Sequence, residues 1–210
     1  MEISARSQGR GATSNRSRGP KVAAIPRERI LIAAARLFRQ RGYKATTVRD
    51  IAAEVGILSG SLFHHFDSKE QMLIEMVREA VIAMCVGAEA LLASLADPVE
   101  RLRALIRFEL DCFAGSQTRD YFAVLVSEWR DIPASVQPEL RSMRQRYLGL
   151  VRSVVEQCEA ASLLRLAPDA AGLVIHGATT GAVTWFNSSG RYSVDEFARI
   201  LSDLVLRESS

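Results

Sequence analysis

Residues 46–70 read TTVRDIAAEVGILSGSLFHHFDSKE. Thr47 followed three residues later by Asp50 has the spacing of a capping box, which places a helix start there. Ala52 is small where a second helix must cross closely, and Gly56 supplies a sharp turn that a side chain would obstruct. Val48, Ile51, Val55, Leu62 and Phe66 are spaced to hold two short helices together. Ser59, Gly60, Ser61, Phe63, His64 and His65 are left to face outward or to flank the packed edge. The pattern predicts a helix-turn-helix whose second helix suits the major groove of DNA.

Upstream, residues 1–25 are rich in Ser, Gly and Arg, with few large apolar side chains before Val22. Such a segment cannot bury enough surface to fold alone and is expected to be a disordered basic tail. Arg6, Arg10, Arg16, Arg18 and Lys21 give it the charge either of a DNA-contacting arm or of an inert leader. From Pro26 the chain reads as helix, with Ile30, Ala34, Leu37 and Phe38 on one stripe and Gly42 at the end.

Downstream, Ser68 is placed to cap a long helix carrying Leu73, Val77, Ala80, Met84, Gly87, Leu91 and Leu95. Asp97-Pro98 breaks it and starts another, ended by Gly115-Ser116. A shorter helix is marked by Tyr121 to Trp129, and a long one by Leu140 to Cys158. Pro168 and Asp169 open the next helix, which runs to about Phe186, and Ser193 is placed to cap the last. No strand-length alternation of period two is present, so the expected fold is all-α with about nine helices. Three parts are expected: a tail over 1–25, a helix-turn-helix domain over 26–70, and a helical ligand-binding and dimerisation domain over 71–210.

The reading head resembles the N-terminal domain of the tetracycline-repressor-like (TetR) family of bacterial transcription factors, from about Arg27 to Leu73. The carriers are ILIAAARLFRQRGYKATTVRDIAAEVG, then GSLFHHF, then SKEQML. Arg41, Gly42 and Tyr43 match the turn that ends the family's first helix. His65, Phe66, Ser68, Lys69, Glu70 and Leu73 match its closing motif. Two departures stand out. Leu58 and Ser59 occupy the start of the recognition helix where the family often has Ser or Thr followed by a basic residue, and Phe63 replaces the usual Tyr. Leucine cannot accept from the first-turn amides, so Ser59 is expected to supply the cap.

Charge supports the same division. Residues 1–70 hold 13 Lys/Arg against 6 Asp/Glu, a balance of +7, while the remainder holds 14 against 18, a balance of −4. The positive excess sits beside the reading unit, where release of phosphate counterions drives binding. The candidate DNA contacts are Lys44, Thr47, Arg49, Ser59, Gly60, Ser61, Phe63, His64, His65 and Lys69. Ser61 and His64 are the candidates for base edges, Lys44 and Lys69 for phosphates, and Phe63 for a thymine methyl or the sugar backbone.

Cys85, Cys112 and Cys158 are odd in number and far apart, which argues against a disulfide framework or a zinc site and for a reducing cytoplasm. No run of about 18 apolar residues is present for a membrane span. Neither a G-x-S-x-G elbow nor a Gly-rich phosphate loop occurs, and three histidines form no catalytic constellation. No enzymatic activity, cofactor or metal is therefore expected.

In the last two helices, Gly172, Gly177, Ala178, Gly181 and Ala182 keep one helix thin, while Phe197, Leu201 and Leu204 supply apolar area for pairing with a second copy or for packing within the chain. The resemblance implies a homodimer on a palindromic operator in the bacterial cytoplasm. It also implies a pocket for a small hydrophobic effector that separates the reading heads. Pocket candidates are Phe108, Glu109, Cys112, Phe113, Phe122, Trp129, Tyr147, His176, Thr180 and Trp185, aromatic and polar residues interrupting apolar stripes. The run TWFNSSGRYSVDEFA also resembles a stretch of TetR-family regulators of lipid and acyl-chain breakdown, several of which respond to acyl-coenzyme A. Asn187 and Ser188 replace its usual Arg and Pro, leaving Arg130 or Arg191 as substitutes for a phosphate-binding arginine. A drug or metabolite sensor, and a constitutive DNA-binding protein without effector, are the alternatives.

Overall fold

The computed structural model describes residues 25–115, 119–187 and 189–207. The basic tail, apart from Ile25, lies outside the described residues, as do Ser116 and Ser188. Among the described residues there are nine α-helices, one 3-10 turn and no strand beyond a single antiparallel bridge between Leu164 and Leu206.

The first helix, α1 (Arg27–Arg41), buries Ile30, Leu31, Ala34, Leu37 and Phe38, and Gly42 ends it at φ +84°. In α2 (Val48–Val55) the capping box is present. The Asp50 amide donates to the Thr47 hydroxyl at 3.2 Å, and the Thr47 amide donates to the Asp50 carboxylate at 2.8 Å. Gly56 follows in the left-handed conformation, φ +77°, which a side chain would strain. The recognition helix α3 (Ser59–Leu62) is only four residues long and continues through turn bonds to the buried Phe66.

The cap expected from Ser59 is absent. Leu58, in extended conformation, is the residue that precedes the helix, so Ser59 falls inside its first turn and no side chain caps it. By contrast, α4 (Lys69–Ala93) starts as read, with the Gln71 amide donating to the Ser68 hydroxyl at 3.0 Å.

The body comprises α5 (Pro98–Ala114), α6 (Arg119–Ser127), the 3-10 turn Trp129–Asp131, α7 (Gln137–Ala160), α8 (Pro168–Trp185) and α9 (Val194–Val205). The Asp97 side chain caps α5, and a Ser193–Glu196 capping box starts α9. Trp129, expected to belong to the preceding helix, sits in the tighter 3-10 turn instead. Helix α5 runs through the middle of the body and packs on α4, α6, α7, α8 and α9, while α1 packs on α2, α4 and α6. Head and body therefore meet along α1–α6 and along α4, which enters both.

Lys69 fastens the start of α4 to the turn after α1. Its ammonium donates to the Tyr43 carbonyl at 2.6 Å and the Thr46 carbonyl at 2.8 Å, and lies 4.1 Å from the centre of the Tyr43 ring. Burial lowers its pKa below the ordinary lysine value. Replacing Lys69 by Met keeps the length and removes the donors. It is expected to cost about 1.5–3 kcal/mol, the range for hydrogen bonds to a charged group, read as a lower urea midpoint with an unchanged slope.

Candidate DNA-reading surface and ligand cavity

The capping box at Thr47, the turn at Gly56 and the buried Leu62 and Phe66 fix α3 against α1 and α2. The exposed side of this unit carries Thr47, Arg49, Gly60, Phe63 and His64, with Ser59, Ser61 and His65 half-buried. The His65 carbonyl accepts from Arg27 Nε at 3.3 Å, and the Arg27 guanidinium lies 4.1 Å from the Phe66 ring centre and pairs with Glu75. The start of α1 thereby ties the end of the recognition segment to α4.

Of the two lysines assigned to phosphate, Lys69 departs from that expectation, whereas Lys44 is exposed beside the body. Lys69 faces inward, held by the two carbonyls that the turn after α1 leaves without helical partners. Lys44 is 82% exposed, yet its ammonium pairs at 2.9 Å with Asp131 in the 3-10 turn of the body. A second ion pair, Arg39 with Asp120 of α6, spans the same junction.

In the body a cavity of about 140 Å³ is lined by Val81 and Met84 of α4, Phe113 of α5, Leu125 and Val126 of α6, and Trp129. Arg144 and Tyr147 of α7 and His176 and Thr180 of α8 complete it. Behind it lies Glu109, wholly buried. Its carboxyl accepts from the Tyr147 hydroxyl and, at 2.5 Å, from the Thr179 hydroxyl, with His176 Nδ1 at 3.8 Å. Burial first, then the neighbouring Glu109, pushes the Tyr147 hydroxyl far above the ordinary phenol range, so it stays a donor. Arg144 Nη2 lies 3.4 Å from His176 Nε2 at the rim. An apolar chamber thus ends in a short line of hydrogen-bonding groups, the composition usual for a small-molecule site.

Of the ten pocket candidates, Phe113, Trp129, Tyr147, His176 and Thr180 line this cavity, and Glu109 backs it. Phe108 does not reach it: its ring lies where a Cβ on Gly87 would stand, 2.6 Å away, so it is a knob seated on the α4 backbone. Phe122 is core, edge-on to Phe113, and Cys112 is core too, its thiol pushed up to about 12 by burial. Trp185 sits outside, against Phe186 and Phe197, and neither Arg130 nor Arg191 lines the cavity. Arg144 is the informative residue that sequence reading missed; its place one turn before Tyr147 on the same helix was the available signal. An open groove of about 640 Å³ between α7 and α8, including Leu148, Val151, Arg152, Val155 and Leu173, shares His176 with the cavity. No group of three or more metal-ligating side chains occurs among the described residues, and no helix there is long and apolar enough to cross a membrane.

On α8 and α9, Leu173, Trp185, Ile200 and Leu204 are exposed. Ala182 and Leu201, expected to serve pairing with a second copy or packing within the chain, are buried inside the chain, because they fall on the stripes that face the rest of the body.

Residues 30–76 match the family model described as bacterial regulatory proteins, tetR family, and residues 95–208 match the tetracyclin repressor-like C-terminal domain. The HTH-type transcriptional repressor KstR2 of Mycolicibacterium smegmatis is 32% identical over 193 residues, covering 89% of this chain and 92% of the relative. The crystal structure of the superantigen PfiT is similar at 34% identity and a TM-score of 0.69, covering 91% of this chain and all of that one. The ketosteroid transcriptional regulator KstR2 of Mycobacterium tuberculosis is similar at 28% identity and a TM-score of 0.76, over 87% of this chain and 95% of that one.

Removing the Tyr147 hydroxyl (Tyr147→Phe) leaves a fully buried carboxyl oxygen short of its donor. It is expected to lower stability by about 1–3 kcal/mol in urea unfolding, whereas Trp185→Ala should change the cavity's ligand affinity less than twofold.

Proposed function

The chain belongs to the tetR family of bacterial regulatory proteins, helix-turn-helix regulators of transcription, and from that premise we propose a ligand-released repressor. On this reading residues 26–70 are the DNA-reading head and residues 71–210 the ligand-binding and dimerisation body. Two copies pair through the exposed apolar side of α8 and α9 and read a palindromic operator in the cytoplasm. Ser61 and His64 of the recognition segment contact base edges, with Thr47, Arg49, Ser59, Gly60, Phe63 and His65 around them.

The observation that carries the switching step is the double role of α6 and the turn after it. Leu125, Val126 and Trp129 wall the cavity, while Asp120 and Asp131 in the same segment hold Arg39 and Lys44 of the head. A ligand that displaces this wall moves the contacts that set the head's orientation. The cavity also counts against a DNA-binding protein without effector, because apolar space beside a satisfied buried carboxyl adds nothing to stability.

A cavity near 150 Å³ accommodates a benzene-sized group. A larger lipophilic ligand therefore extends past His176 into the α7–α8 groove or widens the cavity. Two classes are favoured: acyl-coenzyme A thioesters, from the C-terminal resemblance, and ketosteroid-like ring compounds, from the relative named for them.

Thermal unfolding of the purified protein with thioesters, their free acids, ketosteroids and unrelated lipophiles distinguishes these classes. A ligand at a hundred times its dissociation constant adds about 2.7 kcal/mol, a rise of roughly 5–11 °C for a chain of this size. No rise with any class would count against the effector. Exchanging both Asp120 and Asp131 for Asn is expected to leave ligand affinity within about twofold while weakening ligand-induced release of operator DNA at least tenfold, measured by fluorescence anisotropy. Undiminished release would remove α6 from the switching path.

A further inference from the structure

Two residues at the start of the recognition helix are poor choices for the folded chain alone. Leu58 is 80% exposed, the highest value among the exposed large hydrophobic residues described, and it occupies the N-cap position. There a Ser, Thr, Asp or Asn would satisfy a first-turn amide that Leu58 cannot. Its neighbour Ile57 packs on the core, so the apolar contact available to this turn is already made without Leu58. Two residues on, Gly60 stands in the first turn of α3 with no positive φ, and a Cβ added there would meet nothing within 4 Å. The fold therefore requires neither the missing side chain at position 60 nor the apolar one at 58. Both positions belong to the segment that carries Ser61 and His64, continuous with the surface that reads DNA.

We infer that Leu58 packs on the 5-methyl groups of thymines in the operator's major groove, and that Gly60 leaves the clearance that lets the bases come that close. The inference rests on the reading of residues 46–70 as the DNA-contacting unit. Thymine is the base that presents a methyl group in the major groove, and an apolar side chain distinguishes it by burying that methyl. A leucine at the helix entry can reach the edge of the groove, where a Ser or Thr would turn back to cap its own helix. This makes Leu58 a specificity-determining residue that favours thymine over cytosine, whose ring carries no methyl at that position.

Duplexes bound by the full-length protein are first selected from a random pool, which supplies an operator sequence for the test. The enriched sequence is then resynthesised with each thymine in turn replaced by uracil, which removes the methyl and keeps every hydrogen-bonding group. At one or two thymines per half-site the unaltered protein is expected to lose about fourfold in affinity per methyl removed, the size of burying one methyl group. Leu58→Ala should bind the thymine and uracil duplexes equally well. Leu58→Ser should do the same while unfolding at an equal or higher temperature, because serine caps α3, so weaker binding would not reflect misfolding. Gly60→Ala should raise thermal stability slightly and weaken operator binding at least tenfold.

Uracil sensitivity that is absent from the unaltered protein, or equal in the protein and its Leu58→Ala variant, would overturn the inference and leave the DNA-reading assignment standing. Unchanged binding by Gly60→Ala would overturn the clearance assigned to Gly60. A pool from which no sequence is enriched would overturn both the DNA-reading assignment and the inference built on it.

Discussion

One helix carries a single continuous core from head to body, packing on α1 at one end and on α5, α6 and α7 beyond it. Helix α4 is 25 residues long, about 37 Å at the helical rise, and its buried stripe begins with Met72, Leu73, Met76 and Val77 beneath the reading head. The same stripe continues without a break through Ala80, Val81, Met84, Cys85, Ala88 and Leu92 in the body. Its register is fixed at both ends. Ser68 caps the first turn, Lys69 clamps the loop after α1, and Arg27 holds Glu75. Further along, Phe108 sits so close over Gly87 that no side chain fits between them. Val81 and Met84 are members of this stripe and also wall the cavity. A rotation or slide of α4 therefore cannot be confined to one part of the protein, because close-packed interiors shift between discrete arrangements and do not deform smoothly.

The ion pairs across the junction do a different job from the apolar packing. Lys44–Asp131 and Arg39–Asp120 have exposed or half-exposed members, and solvent screening leaves pairs of that kind little weight in overall stability. They do not hold the head on; the burial of α1 against α4 and α6 does that. What they add is a polar tie from α1 and the turn after it to α6 and the 3-10 turn. A ligand shifts such an equilibrium only by its differential affinity for the two states. On the proposed switching, weak polar ties of this kind are within reach of a small ligand, whereas several buried pairs would not be.

The helical framework was legible in the sequence because its signals are local. Thr47 with Asp50, Ser68, Asp97 with Pro98, and Ser193 announce helix starts through side-chain-to-amide bonds within four residues, and the structure contains each of these caps. The stripes of α1, α4 and α5 follow from the same short periodicity. The partition of the pocket candidates was not legible. Phe108, Phe113 and Phe122 are alike as residues, and only the crossing of helices decides that one seats on Gly87, one faces the cavity and one packs behind it. Lys69 shows the same limit. A lysine beside a helix-turn-helix reads as a phosphate contact until the fold brings the Tyr43 and Thr46 carbonyls, 26 and 23 residues away, to its ammonium.

The remaining irregularities fall into two opposite kinds, and their locations differ in a way that stability does not explain. In the body a polar group is placed inside: Glu109 is buried among Leu105, Ile106, Leu110 and Phe113. A leucine of similar volume would pack there without requiring partners from Tyr147 and Thr179, and buried polar networks are often no more stabilising than the apolar residues that replace them. In the head an apolar group is placed outside, Leu58 at an uncapped helix start. Sequences that otherwise agree with their fold at every level break local rules mainly where another molecule completes the environment. The inward exception borders a cavity and the outward one a recognition helix. The two lie at the proposed ligand cavity and the proposed DNA-reading surface, which α4 and α6 connect through their packing on α1.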